Sequence, residues 1–356
     1  MVFQYLKIVS VVILITFSQA SAAKTVLILL SGHKTLPWTQ SVVKGIEIQQ
    51  AEYREKGIKD INVYIEYLNL FKHPQEPNDQ RLLQIEKKYA QKKIDLILTE
   101  GVAGSVFVEK TKDFYPKESR YERPIFMNFN TAGVGRENSF DIQPGYDTLL
   151  EIIHRLMPSL QRVIFAGSLK NPELIKIRQA TERVLDREPE FWTAGFSRED
   201  IESYTRTLTH NDVIVLQPRL IEQNSGRRYV PHQVAEVLSE VSKAPIFTRY
   251  RSLLGSGIAG GYLLSGLEVG KTLIKTAHTP TLNWPQTSFN ICEFDKSALE
   301  HWRIDISRLP DGSELINDPD TGFFPFDWES LRAIFSLPDH REDELDQVCR
   351  WHKKMD

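Results

Sequence analysis

Residues 25–57 read TVLILLSGHKTLPWTQSVVKGIEIQQAEYREKG. The first six, Thr25 to Leu30, form an apolar run with no polar residue at alternate positions. A strand with one wet face alternates; an unbroken apolar strand is buried on both faces, as in a parallel sheet covered by helices. Ser31 and Gly32 end the run, and a helix is predicted from about Thr39 to Lys56. On it Val42, Val43, Ile46 and Tyr53 fall within about 100° of arc, an apolar stripe for packing. Gly57 stands where a helix C-cap belongs. A buried strand feeding an amphipathic helix is the opening of a β-α-β series, which builds α/β folds.

The series continues outward from this stretch. Strands are predicted at Asn62 to Leu68, Ile94 to Thr99 and Pro124 to Asn128, with helices at Arg81 to Gln91 and Val102 to Lys112. Residues 131 to 145, with Gly133, Gly135, Pro144 and Gly145, interrupt the rhythm. A second series then follows: strands at Arg162 to Ala166, Phe191 to Ala194, Asp212 to Gln217 and Pro245 to Thr248. Helices at Asp147 to Met157, Pro172 to Asp186, Arg198 to Leu208 and Pro231 to Ser242 accompany them. Beyond 250 a strand near Ile258 to Leu263, a helix from Gly266 to Thr276 and a strand from Phe289 to Phe294 complete the pattern. The expectation is an α/β protein with two doubly wound parallel-sheet lobes. No sequence repeat relates the halves.

The bulk composition narrows the function classes. The chain has 356 residues, enough for two domains, and a net charge of -3 from 44 basic and 47 acidic side chains. Nucleic-acid binding leaves a basic footprint, and none is present, so no nucleic-acid partner is expected. At the N-terminus, Lys7 precedes the apolar run from Ile8 to Phe17, and Ala20-Ser21-Ala22-Ala23 follows. A basic residue, a short apolar core and an Ala-x-Ala site make a secretory signal peptide, residues 1–23, cut near Ala22 or Ala23. The run is shorter than the ~20 residues a membrane span needs, so an uncleaved anchor is the weaker alternative. Two cysteines, Cys292 and Cys349, do not build a disulfide scaffold. A bridge between them stays open.

Several stretches together resemble a known family. Leu29-Leu30-Ser31-Gly32-His33, Pro37-Trp38-Thr39 and Val43-Lys44-Gly45-Ile46 are similar to the opening of type I periplasmic binding proteins. Glu66-Tyr67-Leu68, Asp95-Leu96-Ile97, Gly260-Gly261, Gly270-Lys271 and Trp302-Arg303-Ile304-Asp305 also fit, as does Leu309-Pro310-Asp311-Gly312-Ser313. The likeness spans roughly 25 to 318. Within that fold the chain most resembles the ABC-transporter substrate-binding group also used as sensor domains of membrane histidine kinases. The resemblance implies two lobes joined by a multi-crossing hinge, with crossings near 131 to 145, 249 to 256 and 279 to 288. The N-terminal lobe would comprise 24–130 plus about 250–280, the C-terminal lobe 140–248 plus about 286–318, and 319–356 a C-terminal extension. Kinase-linked relatives continue into a membrane helix, whereas residues 339 to 356 are polar here. A free periplasmic protein that reports to a separate partner is therefore expected.

In open α/β sheets ligands bind outside the carboxyl ends of the strands. In the first lobe those positions supply Ser31, His33, Trp38, Glu100, Asn128 and Asn130. In the second they supply Ser168, Gln217, Arg219, Tyr250 and Arg251. Directed polar groups with some apolar wall are what a binding cleft needs. Each also has a structural alternative. Ser31 and Ser168 can cap helices, and Asn128 and Asn130 can form turns. Trp38 can pack against the first helix, Glu100 and Arg219 can pair elsewhere, and Arg251 can brace the hinge. An arginine suits a carboxylate, Glu100 an ammonium, and Trp38 or Tyr250 a flat or aliphatic body, so an amino-acid-like or organic-acid ligand is expected.

Other chemistries lack their signatures. Gly255-Ser-Gly257-Ile-Ala-Gly260 matches a dinucleotide string, but it precedes a strand instead of opening a helix. No Walker loop, H-x-x-x-H, H-x-H, C-x-x-C or G-x-S-x-G motif occurs, so no cofactor, metal or catalytic residue is expected. The expected function is a periplasmic solute-binding protein serving an ABC permease or a membrane sensor. A secreted α/β enzyme, or an interaction module without ligand, stands as the alternative.

Overall fold

The computed structural model describes residues 23–58, 61–69, 84–85, 87–89, 92, 94–101, 125–129, 139–142, 145–222, 225–279 and 289–317. In chain order the first elements are β1 (Thr25–Leu30), α1 (Pro37–Glu55), β2 (Asn62–Tyr67), β3 (Leu96–Glu100), β4 (Ile125–Phe129) and β5 (Ser139–Ile142). Then come α2 (Tyr146–Leu156), β6 (Arg162–Ala166), α3 (Asn171–Leu185), β7 (Glu190–Trp192), α4 (Arg198–Thr205) and β8 (Asp212–Leu216). A small hairpin, β9 (Leu220–Ile221) and β10 (Arg228–Tyr229), leads to α5 (Pro231–Val241) and β11 (Ile246–Thr248). The last described elements are β12 (Gly260–Leu264), α6 (Gly266–His278), β13 (Asn290–Asp295), α7 (Lys296–His301) and β14 (Glu314–Ile316).

The strands form two main sheets. The first has the order β2-β1-β3-β4-β5, parallel throughout. The second has the order β14-β13-β12-β11-β8-β6-β7, with β12 and β13 antiparallel and the other pairs parallel. The apolar run of β1 is buried on both faces, as its lack of alternation demands. Val26, Ile28 and Leu30 enter one core cluster, and Leu27 and Leu29 enter another on the opposite face. β8 does the same in the second lobe, with Val213 and Val215 on one side and Ile214 and Leu216 on the other. Each such buried side chain stabilises the fold by about 1.5–3 kcal/mol relative to exposure.

One helix pair holds the first lobe closed on one face. Thr39, Val42, Gly45, Ile46 and Gln49 form the buried stripe of α1, and Val269, Gly270 and Leu273 are among those buried on α6. The two helices approach until a Cβ on Gly45 would strike the carbonyl of Leu267, and one on Gly270 the carbonyl of Val42. Glycine at both positions therefore sets the helix separation. Tyr53 and His278 stack edge to face with ring centroids 4.6 Å apart, joining the far ends of the pair.

Several expectations need correction. β12 belongs to the second sheet, between β11 and β13, so the chain does not cross into the first lobe between 249 and 256. It crosses at Ser265, because Leu264 ends β12 and Gly266 begins α6. The segment from 139 to 142 is a strand of the first sheet, so that lobe runs past 130. The hairpin β9–β10, α7 and β14 were not expected. The predicted helix at 102 to 112, the expected signal peptide at 1–23 (all but its last residue) and the tail from 319 lie outside the described residues, as does Cys349. Cys292 is a free thiol on β13, and partial burial raises its pKa. Among the described residues no helix is long and apolar enough to cross a membrane.

Candidate functional site

The carboxyl ends of β1 and β3 lie side by side, since Leu30 pairs with Glu100 in the parallel register. That adjacency brings three of the expected residues together. The Ser31 amide donates to Glu100 Oε2 at 3.2 Å, and the Ser31 hydroxyl donates to the Glu100 carbonyl. Trp38, in the first turn of α1, donates its indole Nε1–H to Glu100 Oε1 at 2.9 Å. Glu100 is buried, and desolvation raises its carboxyl above the ordinary 4.5, opposed by the Trp38 and Ser31 donors. The hydrogen bond fixes the indole edge toward the strand ends, while Trp38 remains half-buried against the first-lobe core.

The remaining first-lobe residues play local parts or fall elsewhere. His33 Nδ1 accepts from the Thr35 amide at 3.3 Å and lies 2.8 Å from its hydroxyl, organising the turn before α1. Asn128 occupies β4 opposite Asp141 of β5, and Asn130 lies outside the described residues. Ser31 does not cap α1, whose N-cap is Leu36 with no side-chain bond.

At the second lobe, Ser168 is committed to the backbone. Its hydroxyl donates to the Ile221 carbonyl at 2.6 Å and accepts the Ile221 amide at 2.7 Å, fastening β9 to the end of β6. It does not cap α3, whose N-cap is Lys170. Gln217 is buried, with its side-chain amide 3.5 Å from the Val215 carbonyl. Arg219 is exposed at the strand-end rim. Arg251 is taken by Glu293, with Nε and Nη2 at 2.7 and 2.8 Å from the two carboxylate oxygens. Because Glu293 is only 2% exposed, this fork–fork pair neutralises a buried charge on β13 of the second sheet, so Arg251 is engaged within that lobe. Tyr250 packs against the cores of both lobes, so it occupies the boundary between them.

The sequence reading passed over the residue between Thr248 and Tyr250. Arg249 follows β11 directly and is 1% exposed. Its guanidinium lies 4.4 Å from the centroid of the Tyr146 ring and 5.3 Å from that of Tyr250. Glu173, in the first turn of α3, stands 4.0 Å from Nη1 and accepts the Tyr146 hydroxyl at 2.8 Å. Burial pushes the Tyr146 phenol well above its ordinary range, so it stays protonated and remains a donor. Tyr146 opens α2 just after the first crossing between sheets. All four residues therefore sit at the strand-end edge of the second sheet. The sequence did carry one signal, a second arginine beside Arg251 at a strand end.

Two further features bear on chemistry. Gly260 of the G-x-G-x-x-G string lies within β12, where a Cβ would collide with Phe294 and the Glu293 carbonyl. That glycine serves close strand packing. A recess of about 530 Å³ on α2 and α3, lined by Asp147, Glu151, His154, Arg155, Arg183 and Val184, shares no residue with the strand-end set. It holds the Arg183–Asp147 ion pair at 2.6 Å and an otherwise solvated mix of charges, a poor lining for a small organic molecule. Among the described residues no group of three or more His, Cys, Asp or Glu side chains could hold a metal.

No family model matches the chain, and no curated protein matches it. Solved structures do. The ligand-free, open structure of a substrate-binding protein with adhesive properties from Clostridium difficile superposes with a TM-score of 0.55 at 11% identity. It covers 83% of this chain and 99% of its own. An ABC domain in complex with L-Trp from Streptococcus pneumonia gives 0.52 at 14% identity, covering 83% and 100%. At such identities the likeness is one of fold. The parallel first sheet, the mainly parallel second sheet, their crossings and these neighbours agree: the chain has the two-lobed α/β fold of type I periplasmic binding proteins.

Proposed function

We propose that this chain is an exported solute-binding protein whose two lobes close on a small organic ligand, of amino-acid or organic-acid type, and present it to a membrane permease or sensor. The observation that carries the reading is the placement of directed polar and aromatic groups at the strand ends of both sheets. Trp38, Ser31 and Glu100 meet in the first lobe; Arg249, Tyr146 and Tyr250 meet in the second. A ligand touching both sets stabilises the closed form, which is the state a partner recognises. Binding proteins among the structural neighbours support the class, and the L-Trp complex supports an amino-acid-like ligand. The signal-peptide pattern of residues 1–23 supports delivery to the periplasm.

The test is a thermal-shift screen of the mature chain, residues 24–356, against amino acids, organic acids, sugars and nucleobases. Ligand at 100 times its Kd adds about 2.7 kcal/mol of stability, a visible rise in melting temperature. A saturable shift without turnover, lost in Trp38→Ala, is the expected result. Chemical conversion of the ligand would point to the enzyme alternative, and no shift with any class would refute solute binding by these compounds.

A further inference from the structure

Five carboxylates are buried among the described residues: Glu66, Glu100, Asp212, Glu293 and Asp295. Three of them face a cation. Glu66 meets Lys88 Nζ at 2.6 Å, Asp212 meets the Arg162 fork at 2.8 and 2.9 Å, and Glu293 meets the Arg251 fork. Asp295 is the N-cap of α7, accepting the Ala298 amide at 3.1 Å and the Asn317 side-chain amide at 2.7 Å. Glu100 has neither kind of compensation. Its side-chain partners are the Trp38 indole on Oε1 and the Ser31 amide on Oε2, both neutral, and among the described residues no Lys, Arg or His pairs with it. A carboxylate offers about four acceptor sites, and these donors fill two of them. Burial without a counter-charge is costly, and the raised proton affinity of Glu100 is the sign of that cost. Position points to a use for it. Glu100 ends β3 beside the end of β1, on the edge where ligands enter open α/β sheets. The neighbouring Trp38 is only half-buried, so protein does not seal that edge. A cationic group arriving there supplies the missing charge. A hydroxyl fills an acceptor site but leaves the charge uncompensated, and an anion is repelled.

We infer that Glu100 is the first lobe's recognition group for a cationic nitrogen, so that the ligand is an ammonium-bearing molecule, an amino acid or an amine, and not a nitrogen-free organic acid. This rests on the solute-binding reading and narrows its ligand classes to the one that completes the charge of Glu100.

Calorimetric titration of the mature chain with L-amino acids, the matching primary amines and the matching 2-hydroxy acids tests the inference, with sugars and nucleobases as controls. The ammonium compounds are expected to bind, with the 2-hydroxy acids weaker by about 30-fold or more. Glu100→Gln keeps an acceptor for the indole and removes the charge. It is expected to weaken the ammonium compounds to a similar degree and to leave the hydroxy acids unchanged, so that the gap between the two classes closes. A carboxylate that merely orients Trp38 would weaken both classes alike, or neither. Circular dichroism checks the fold of the variant; if it fails to fold, the comparison of ammonium and hydroxyl compounds on the unaltered chain decides. Equal affinity for the two classes there, an equal loss of both in Glu100→Gln, or no loss of the ammonium compounds overturns the assignment. Binding of only organic acids, sugars or nucleobases would overturn it and leave the solute-binding reading standing. No binding of any compound would remove both.

Discussion

Glu100 shows how burial and hydrogen bonding compete at one side chain. Desolvation lifts its carboxyl above 4.5, and the Trp38 and Ser31 donors only partly offset the rise. The folded chain therefore holds that proton more tightly than the unfolded chain does. Stability from this group is fully present below the ordinary glutamate value and is lost as pH rises through the raised one. Glu100→Gln keeps an acceptor for the indole and removes the titration. The wild-type melting temperature should fall relative to that of Glu100→Gln as pH rises from about 4 to neutrality. Scanning calorimetry of both proteins across that range checks it, and a constant difference would refute the coupling. At this scale sequence and structure part company most. Topology made Ser31, Trp38 and Glu100 legible, because strand ends converge wherever parallel strands are neighbours. Ser168 and Arg251 looked equivalent to them, but their partners, Ile221 and Glu293, lie 53 and 42 residues away in the chain. Nothing local announces such pairings, and the same blindness hid Arg249.

Among the elements, α1 and α6 carry the clearest demand on sequence. Gly45 and Gly270 each face a carbonyl of the opposite helix, so a methyl group at either must push the helices apart. Gly45→Ala should cost roughly 3 kcal/mol or more by overpacking. Gly57→Ala, at a left-handed residue with open space around it, should cost only about 1 kcal/mol. Urea denaturation of the two variants measures the contrast, and equal losses would mean that the helices adjust freely. The long elements were readable because their periods had room to show. β1, β8 and β12 bury both faces, and α1 and α2 carry repeated apolar stripes. β5, β9, β10 and β14 have two to four residues each, too few to display a period. Their conformation is set by the strand beside them.

At the level of the whole molecule, alternation of strands and helices made two lobes legible, while the position of the second crossing was not. The family resemblance implied a crossing at 249 to 256; Gly260 and Gly261 instead let β12 pack closely between β11 and β13. The true crossing is compressed into Ser265, whose hydroxyl caps α6 by accepting the Glu268 amide. The lobes are thus interleaved: the first contains β1 to β5, α1 and α6, and the second contains α2 to α5, β6 to β8, and β11 to β14. A fragment ending at 264 lacks α6, β13 and β14, leaving both lobes incomplete. It should show no cooperative melting by circular dichroism, and a sharp transition would contradict the interleaving.

That arrangement also orders events during synthesis. As the chain is made from its N-terminus, α1 is complete more than two hundred residues before its partner helix α6 exists. For that interval the glycine-lined stripe bearing Val42 and Ile46 has nothing to cover it. The first lobe is begun first but closed only after most of the second has been translated. For the exported protein proposed above, this delay suits passage across a membrane in unfolded form, because neither lobe locks early into a shape that would block the channel.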